Sequence, residues 1–504
     1  MKEVDNRRPA TPEQIENLKV CFKLTLESSY HELYVDMVLL EALSKGLMDD
    51  MGADLKVYAG NLVSVHANVC YANLCLCVQL RASLKVELGV EKQYNIRRSV
   101  VTAHETYKYL FGFKGKMTPW RVIEQRLRSK YPKECDEIAI ASNEYLQQYA
   151  QYTDGTLRNV AKHYSDNPVE FFENMENVCE RTVSDRLVAS MKFMQPMHSI
   201  LVDELRDIFG ETYTGVLNLN MPEQKFEPMG IGSQEKIDFL KNGIIKYSGM
   251  VNTIMRQKVF VEAKSKEINV DICKDPHWHD FIDNNVGLHI LYIYLDTLTT
   301  FRSFTRSEQF AEYRQNLAYL LVSAHEGFKK LYGFDRNRCR MSYWNRAIMQ
   351  SVIQSGDAIL QAEASKVEAK LYKLSQEPIM NDEDMIAAFT HMGFLKQQKV
   401  EAPIAVLQYF VQPIKQKDLD VLTDYIHVLN DVMNVYNQVL DWESKRIQQE
   451  NNAKFSGFYD QIDKIEQLIC SKVQDEELLA RWKESAERMK ELLKSLSNYG
   501  NATR

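Results

Sequence analysis

One eleven-residue phrase occurs twice in this chain. Residues 103–113 read AHETYKYLFGF and residues 324–334 read AHEGFKKLYGF, 221 positions later. The stretch before each phrase matches too, Glu91 with Glu312 and Asn95 with Asn316. Further on, FMQPM at 193–197 meets FVQPI at 410–414, at an offset of 217. Ordered similarity at three places points to a tandem duplication, with copies at roughly 10–220 and 234–440, so whatever one copy folds into, the other follows. Between the copies, NMPEQKFEPMGIGSQEK gathers Pro222, Pro228, Gly230 and Gly232, which is linker chemistry. The expected organisation is a first helical domain over 1–221, a linker over 222–233, a second helical domain over 234–440 and a C-terminal helical extension over 441–504.

The repeated unit reads as helix. Only 20 glycines and 12 prolines occur in 504 residues, below the usual shares of about 7% and 5%. Turn-rich β architecture is thereby disfavoured, and no convincing strand alternation appears. Thr11 suits a helix N-cap, Pro12 the first helical position and Gln14 the capping box. Apolar residues then recur at helical spacing through Leu18, Cys21 and Leu24 to Leu43. The expected fold class is all-α, with tandem duplicated helical bundles. Gly112 and Gly333, ending the two phrases, suit left-handed helix C-caps. The repeated His104 and His325 read as packing residues; a duplicated metal or catalytic site is the alternative, and no further ligand spacing supports it. In the extension, Leu478, Trp482, Met489, Leu493 and Leu496 form one stripe of an amphipathic helix, suited to docking on the body or on a partner.

A net charge of −7 argues against strong non-specific nucleic-acid binding, yet leaves room for a small basic cleft. Nine cysteines without CxxC spacing, Cys75 and Cys77 among them, read as reduced core residues of a cytoplasmic protein. The N-terminal MKEVDNRRPATPEQ has no apolar core and is not a secretory signal. No apolar run approaches the roughly 18 residues of a membrane span; the longest, Val286 to Leu295, contains His289 and stops at Asp296. In DPHWHDF (275–281), His277, His279 and Asp280 lack companion ligands and read as a surface loop. No Gly-rich phosphate loop, nucleophile elbow or dinucleotide fingerprint occurs. Neither a cofactor nor a metal is expected.

The stretch LRNVAKHYSDNP (157–168) carries the chemistry the sequence suggests. Metal-independent RNA cleavage needs proton transfer, which histidine serves near neutrality, and a cation on the phosphate, which arginine serves. Arg158 and His163 stand a little over one helical turn apart, with Asn159 beside the arginine and Pro168 stopping the helix. Arg97 and Arg98 before His104 meet the loose spacing as well, but lie in the repeated helix. The 157–164 pattern resembles the HEPN superfamily, all-α nucleic-acid-associated domains whose nucleases carry R-x4-6-H. The resemblance implies Arg158 and His163 as catalytic residues, Asn159 as a supporting one, RNA as substrate, a site completed by a second chain in a homodimer, and a bacterial defence or toxin setting. Tyr164 directly follows His163, so the toxin branch with R-x4-H-x-Y is not matched. Aligning Pro168 with Pro378 sets Glu368 and Lys373 opposite Arg158 and His163, so the second copy lacks the motif. The competing expectation is a non-catalytic helical scaffold that binds protein partners. Neither reading involves a membrane.

Overall fold

The second helix shows why the chain folds as it does. Over Ala53–Lys85 nearly every side chain from Tyr58 to Ser83 is buried, on all faces of the helix. A helix apolar all round has to be surrounded by other helices, and here it is. The structure, a computed structural model, describes residues 11–48, 50–86, 88–112, 118–150, 169, 172–173, 180–218, 234–267, 271–274, 278, 285–382 and 415–502. Of these, 90% are helical and none lies in a strand. The all-α expectation holds.

The helices are α1 (Pro12–Ser44), α2 (Ala53–Lys85), α3 (Gly89–Leu110), α4 (Pro119–Lys130), α5 (Pro132–Tyr145), α6 (Glu180–Phe209), α7 (Glu211–Leu217) and α8 (Gln234–Glu267). They continue as α9 (Val286–Thr305), α10 (Phe310–Leu331), α11 (Arg336–Met341), α12 (Met349–Ser355), α13 (Ala358–Ser375), α14 (Pro378–Asn381), α15 (Gln416–Lys472) and α16 (Glu476–Ala502). Short π-helical turns follow α5 at Leu146–Ala150 and precede α12 at Trp344–Ile348.

Local chemistry sets the ends. Thr118 accepts from the Arg121 amide ahead of α4, with Pro119 in the first helical position. Asn285 accepts from Leu288 N at 3.0 Å to start α9. Gly112 and Gly333 follow α3 and α10 with φ of 67° and 88°, the left-handed backbone expected of them. A Cβ on Gly112 would also meet Thr118 Cγ2 at 3.0 Å.

By compactness the chain forms two units. The first comprises residues 1–343 and 371–429, and the second 344–370 and 430–504. In the first unit α1, α3, α4, α6 and α10 all pack on α2, α9 packs on α10 and α8, and α5 packs on α6. In the second unit Ser351 donates to Glu443 at 2.7 Å and Gln438 to Glu363 at 2.9 Å. The later part of α15 pairs with α16 there, where Tyr459 donates to the Lys490 carbonyl at 3.0 Å and Lys490 meets Asp463 at 2.8 Å. The linker expected at 222–233 and the phrase at 410–414 lie outside the described residues.

The helix expected from Thr11 and Pro12 onward is present as α1. Leu18, Cys21 and Leu24 are exposed on it, and its buried face begins at Leu26 and continues through Tyr30, Leu33 and Val35. One expectation needs correction, on membrane length. By length and composition α2 could cross a membrane, although Ser64, His66, Asn68 and Gln79 interrupt its apolar run. Within the protein 83% of its most apolar window is buried, as in a core helix.

Candidate metal centre

Polar residues at helical spacing inside this core form the most distinctive cluster. Glu32 and Asp36 stand four apart on α1, and His66 and Cys70 stand four apart on α2. A spacing of four places each pair on one helix face. The two helices pack together, and α6 packs on α2 and contributes His198. Pro196 lies inside α6 two residues earlier, where it lacks the amide that would bond back to the preceding turn.

Glu32, His66, Cys70 and His198 each offer one ligand atom, all within 4.8 Å of one another. His198 Nε2 lies 2.7 Å from Glu32 Oε2, and the Cys70 thiol donates to the same oxygen at 3.2 Å. Cys70 Sγ is 3.6 Å from His66 Nε2. Zinc with donors at about 2.0–2.3 Å in a tetrahedron requires donor separations of about 3.3–3.8 Å. The Cys70–Glu32 and Cys70–His66 separations stand near that spacing, whereas the Glu32–His198 pair would have to open.

Behind the cluster, His66 Nδ1 faces both carboxylate oxygens of Asp36 at 2.9 Å. That leaves Nε2 for the cluster. A carboxylate on the far nitrogen is how metal-binding histidines are usually oriented and kept basic. His66 and Asp36 are both fully buried. Burial pushes the Asp36 carboxyl up against the opposing pull of His66, while for His66 the Asp36 charge overcomes burial and raises the imidazole too. Burial would raise the Glu32 carboxyl, but His198, His66 and the Cys70 hydrogen bond outweigh it and hold Glu32 at about 2. Burial, then the charges of Asp36 and Glu32, push the Cys70 thiol well up. Without a cation the thiol is a neutral donor, which argues against a free nucleophile. A divalent ion among the four donors would reverse this, because its charge favours thiolate.

Donor softness defines the ion. One sulfur, two imidazoles and one carboxylate suit zinc-class ions and not magnesium or calcium, which take oxygen. Four protein donors make a closed set of the structural kind. Cys70 and His66 are buried, whereas Glu32 and His198 form a half-buried rim.

The residues expected to cleave RNA, Arg158, Asn159 and His163, lie outside the described residues, as do His277, His279 and Asp280. Arg97 and Arg98, the looser arginine partners of His104, are buried in ion pairs with Asp296 at 3.3 and 2.9 Å. His104 and His325 are buried, and His325 Nδ1 meets the Met380 carbonyl at 2.7 Å while its ring stacks on Phe334. That is the packing role expected of the repeated histidine. The cluster itself escaped the reading of the sequence. Its trace there is two i,i+4 pairs, E-x3-D and H-x3-C, plus a histidine directly after FMQPM. Searches against protein-family models, curated proteins and solved structures return no match to this chain.

Proposed function

We propose that this chain is a metal-binding helical scaffold, with one zinc-class ion held by Glu32, His66, Cys70 and His198 and pinning α1, α2 and α6 together. The observation that carries this reading is the convergence of four mixed N, S and O donors within 4.8 Å, with Asp36 orienting His66 from behind. Because the donors come from three helices, the ion's binding energy becomes stability of the first unit. The buried thiol and imidazole favour this structural role over chemistry on a macromolecule.

Elemental analysis of the purified full chain, stripped with chelator and reloaded with zinc or cobalt, tests it. One ion per chain is expected, with a thiolate-to-cobalt absorption band that Cys70→Ser removes and a melting temperature that falls on chelation. A wild-type chain that takes up no more ion than His66→Ala/Cys70→Ser ends the reading.

The resemblance of residues 157–164 supports a separate proposal, RNA cleavage by Arg158 and His163 with Asn159 assisting. His163→Ala should then abolish cleavage and leave the metal content unchanged. RNA left intact by the full chain, with and without zinc, removes that proposal and not the first.

A further inference from the structure

We infer that the first unit is an internal two-fold pair, in which the face built from α2 and α3 is shaped for its own diverged copy, α9 and α10, and rejects itself. The inference is independent of the metal centre, none of whose residues it uses.

The helix bounds come first. α3 spans Gly89–Leu110 and α10 spans Phe310–Leu331, so both ends differ by the same 221 positions as the repeated phrase. In a two-fold interface, if residue i meets j, then the equivalent of i meets the equivalent of j. Under that offset Arg81 corresponds to Arg302 and Glu91 to Glu312. Arg302 Nη1 lies 2.6 Å from Glu91 Oε2, and Arg81 Nε lies 3.7 Å from Glu312 Oε1. Lys85 corresponds to Arg306; Lys85 meets Glu312 at 3.1 Å, and the Arg306 charge acts on Glu91. Gln79 corresponds to Thr300 and Arg98 to Tyr319: Gln79 donates to Tyr319, and Arg98 donates to Thr300. Accordingly α2 packs on α10 and α9 on α3. Near a two-fold axis a residue touches its own equivalent, and the Arg98 guanidinium lies 5.5 Å from the centroid of the Tyr319 ring. Three swapped pairs and one self-contact are what a two-fold pairing requires and what stacking of unrelated helices does not produce.

Among the described residues the symmetry is broken at Asp296, and this break sets specificity. Asp296 receives Arg97 and Arg98, and Ser323 donates to its other oxygen at 2.8 Å. At the equivalent positions stand Cys75 for Asp296, Ala318 for Arg97 and Tyr319 for Arg98. There the contact is a hydrogen bond between Tyr319 and Cys75. A pairing of two first copies would bury Arg97 and Arg98 of both against Cys75, with no carboxylate to meet them. A pairing of two second copies would bury Asp296 against Tyr319 and Ala318. A buried charge without its partner is strongly unfavourable, so only first with second is satisfied, a repulsive device that selects the partner. The partner this face fits is therefore a diverged copy of itself, which the chain supplies.

The full-length chain tests this in two ways. A protease site placed within residues 222–233 allows the chain to be cut; the two pieces are expected to elute together at the size of the intact protein and to melt within a few degrees of it. Pieces that separate overturn the inference. The second test writes Asp296, Thr300 and Arg98 at their two-fold equivalents, as Cys75→Asp/Gln79→Thr/Tyr319→Arg in the intact chain. Cys75→Asp alone should lower the melting temperature steeply, and the triple variant should recover most of that loss. A triple variant as unstable as the summed single changes overturns the inference, because the two loci would then not be geometrically equivalent.

Discussion

Two core helices, α2 and α9, are buried alike and differ in the polar groups they carry. At the 221 offset, His66 and Cys70 of α2 correspond to Gly287 and Leu291 of α9. All four are buried. In α2 the pair faces Glu32, Asp36 and His198; in α9 Leu291 is an ordinary core residue, and the buried carboxylate of the helix, Asp296, follows five residues on. The two helices thus bury polar groups in two ways, each with its own compensation. The α2 set is matched by an ion-like donor geometry, the α9 set by arginines from α3. Polar burial is tolerated only where every charge has a partner, so removing a partner distinguishes the two regions.

The largest effect is expected at Asp296. Asp296→Ala leaves Arg97 and Arg98 together in a buried site and should cost about 3–5 kcal/mol of unfolding free energy in urea, whatever the metal load. A loss below about 1 kcal/mol would mean the arginines find water instead.

Leu291 and Cys70 sharpen the contrast at equivalent positions. Leu291→Ala should cost about 2–5 kcal/mol through the cavity left behind, with zinc uptake unchanged. Cys70→Ala in chelator should cost much less, yet remove the ion. Equal stability losses from both would show that Cys70 is only packing.

Next is Asp36→Asn, which keeps shape and removes the carboxylate behind His66. Competition with a fluorescent chelator should show a 10–100-fold loss of zinc affinity, the usual consequence of losing such a partner. Unchanged affinity would mean Asp36 does not orient His66.

The helix ends should be nearly alike in the two copies. Gly112→Ala and Gly333→Ala each force a side chain into left-handed backbone and should cost about 1 kcal/mol or more by thermal melting; at Gly112 the new methyl would also press on Thr118. The smallest effect is expected outside both regions. Met489 is exposed on α16, and Met489→Ala should stay within about 0.5 kcal/mol.

Helical class was legible in the sequence because glycine and proline are scarce and apolar periodicity is local chemistry. So were the caps at Gly112 and Gly333, since a positive φ is a demand on a single residue. The repeated phrase falls in α3 and α10, whose bounds differ by the same 221 positions. What the local pattern could not show was which turns of α1 are covered, since Leu18 and Leu26 look equally apolar until α2 is laid against them. The metal-like cluster was hidden for the same reason. Its donors come from three helices, with His198 132 positions beyond His66, and nothing in a linear reading couples them. The sequence by itself determined that the chain is helical and where α3 and α10 end, because those properties depend on neighbours one turn away. Only the tertiary structure decided that Glu32, His66, Cys70 and His198 converge and that Arg98 meets Asp296, because those energies depend on charges and donors brought together across space from helices far apart in the chain.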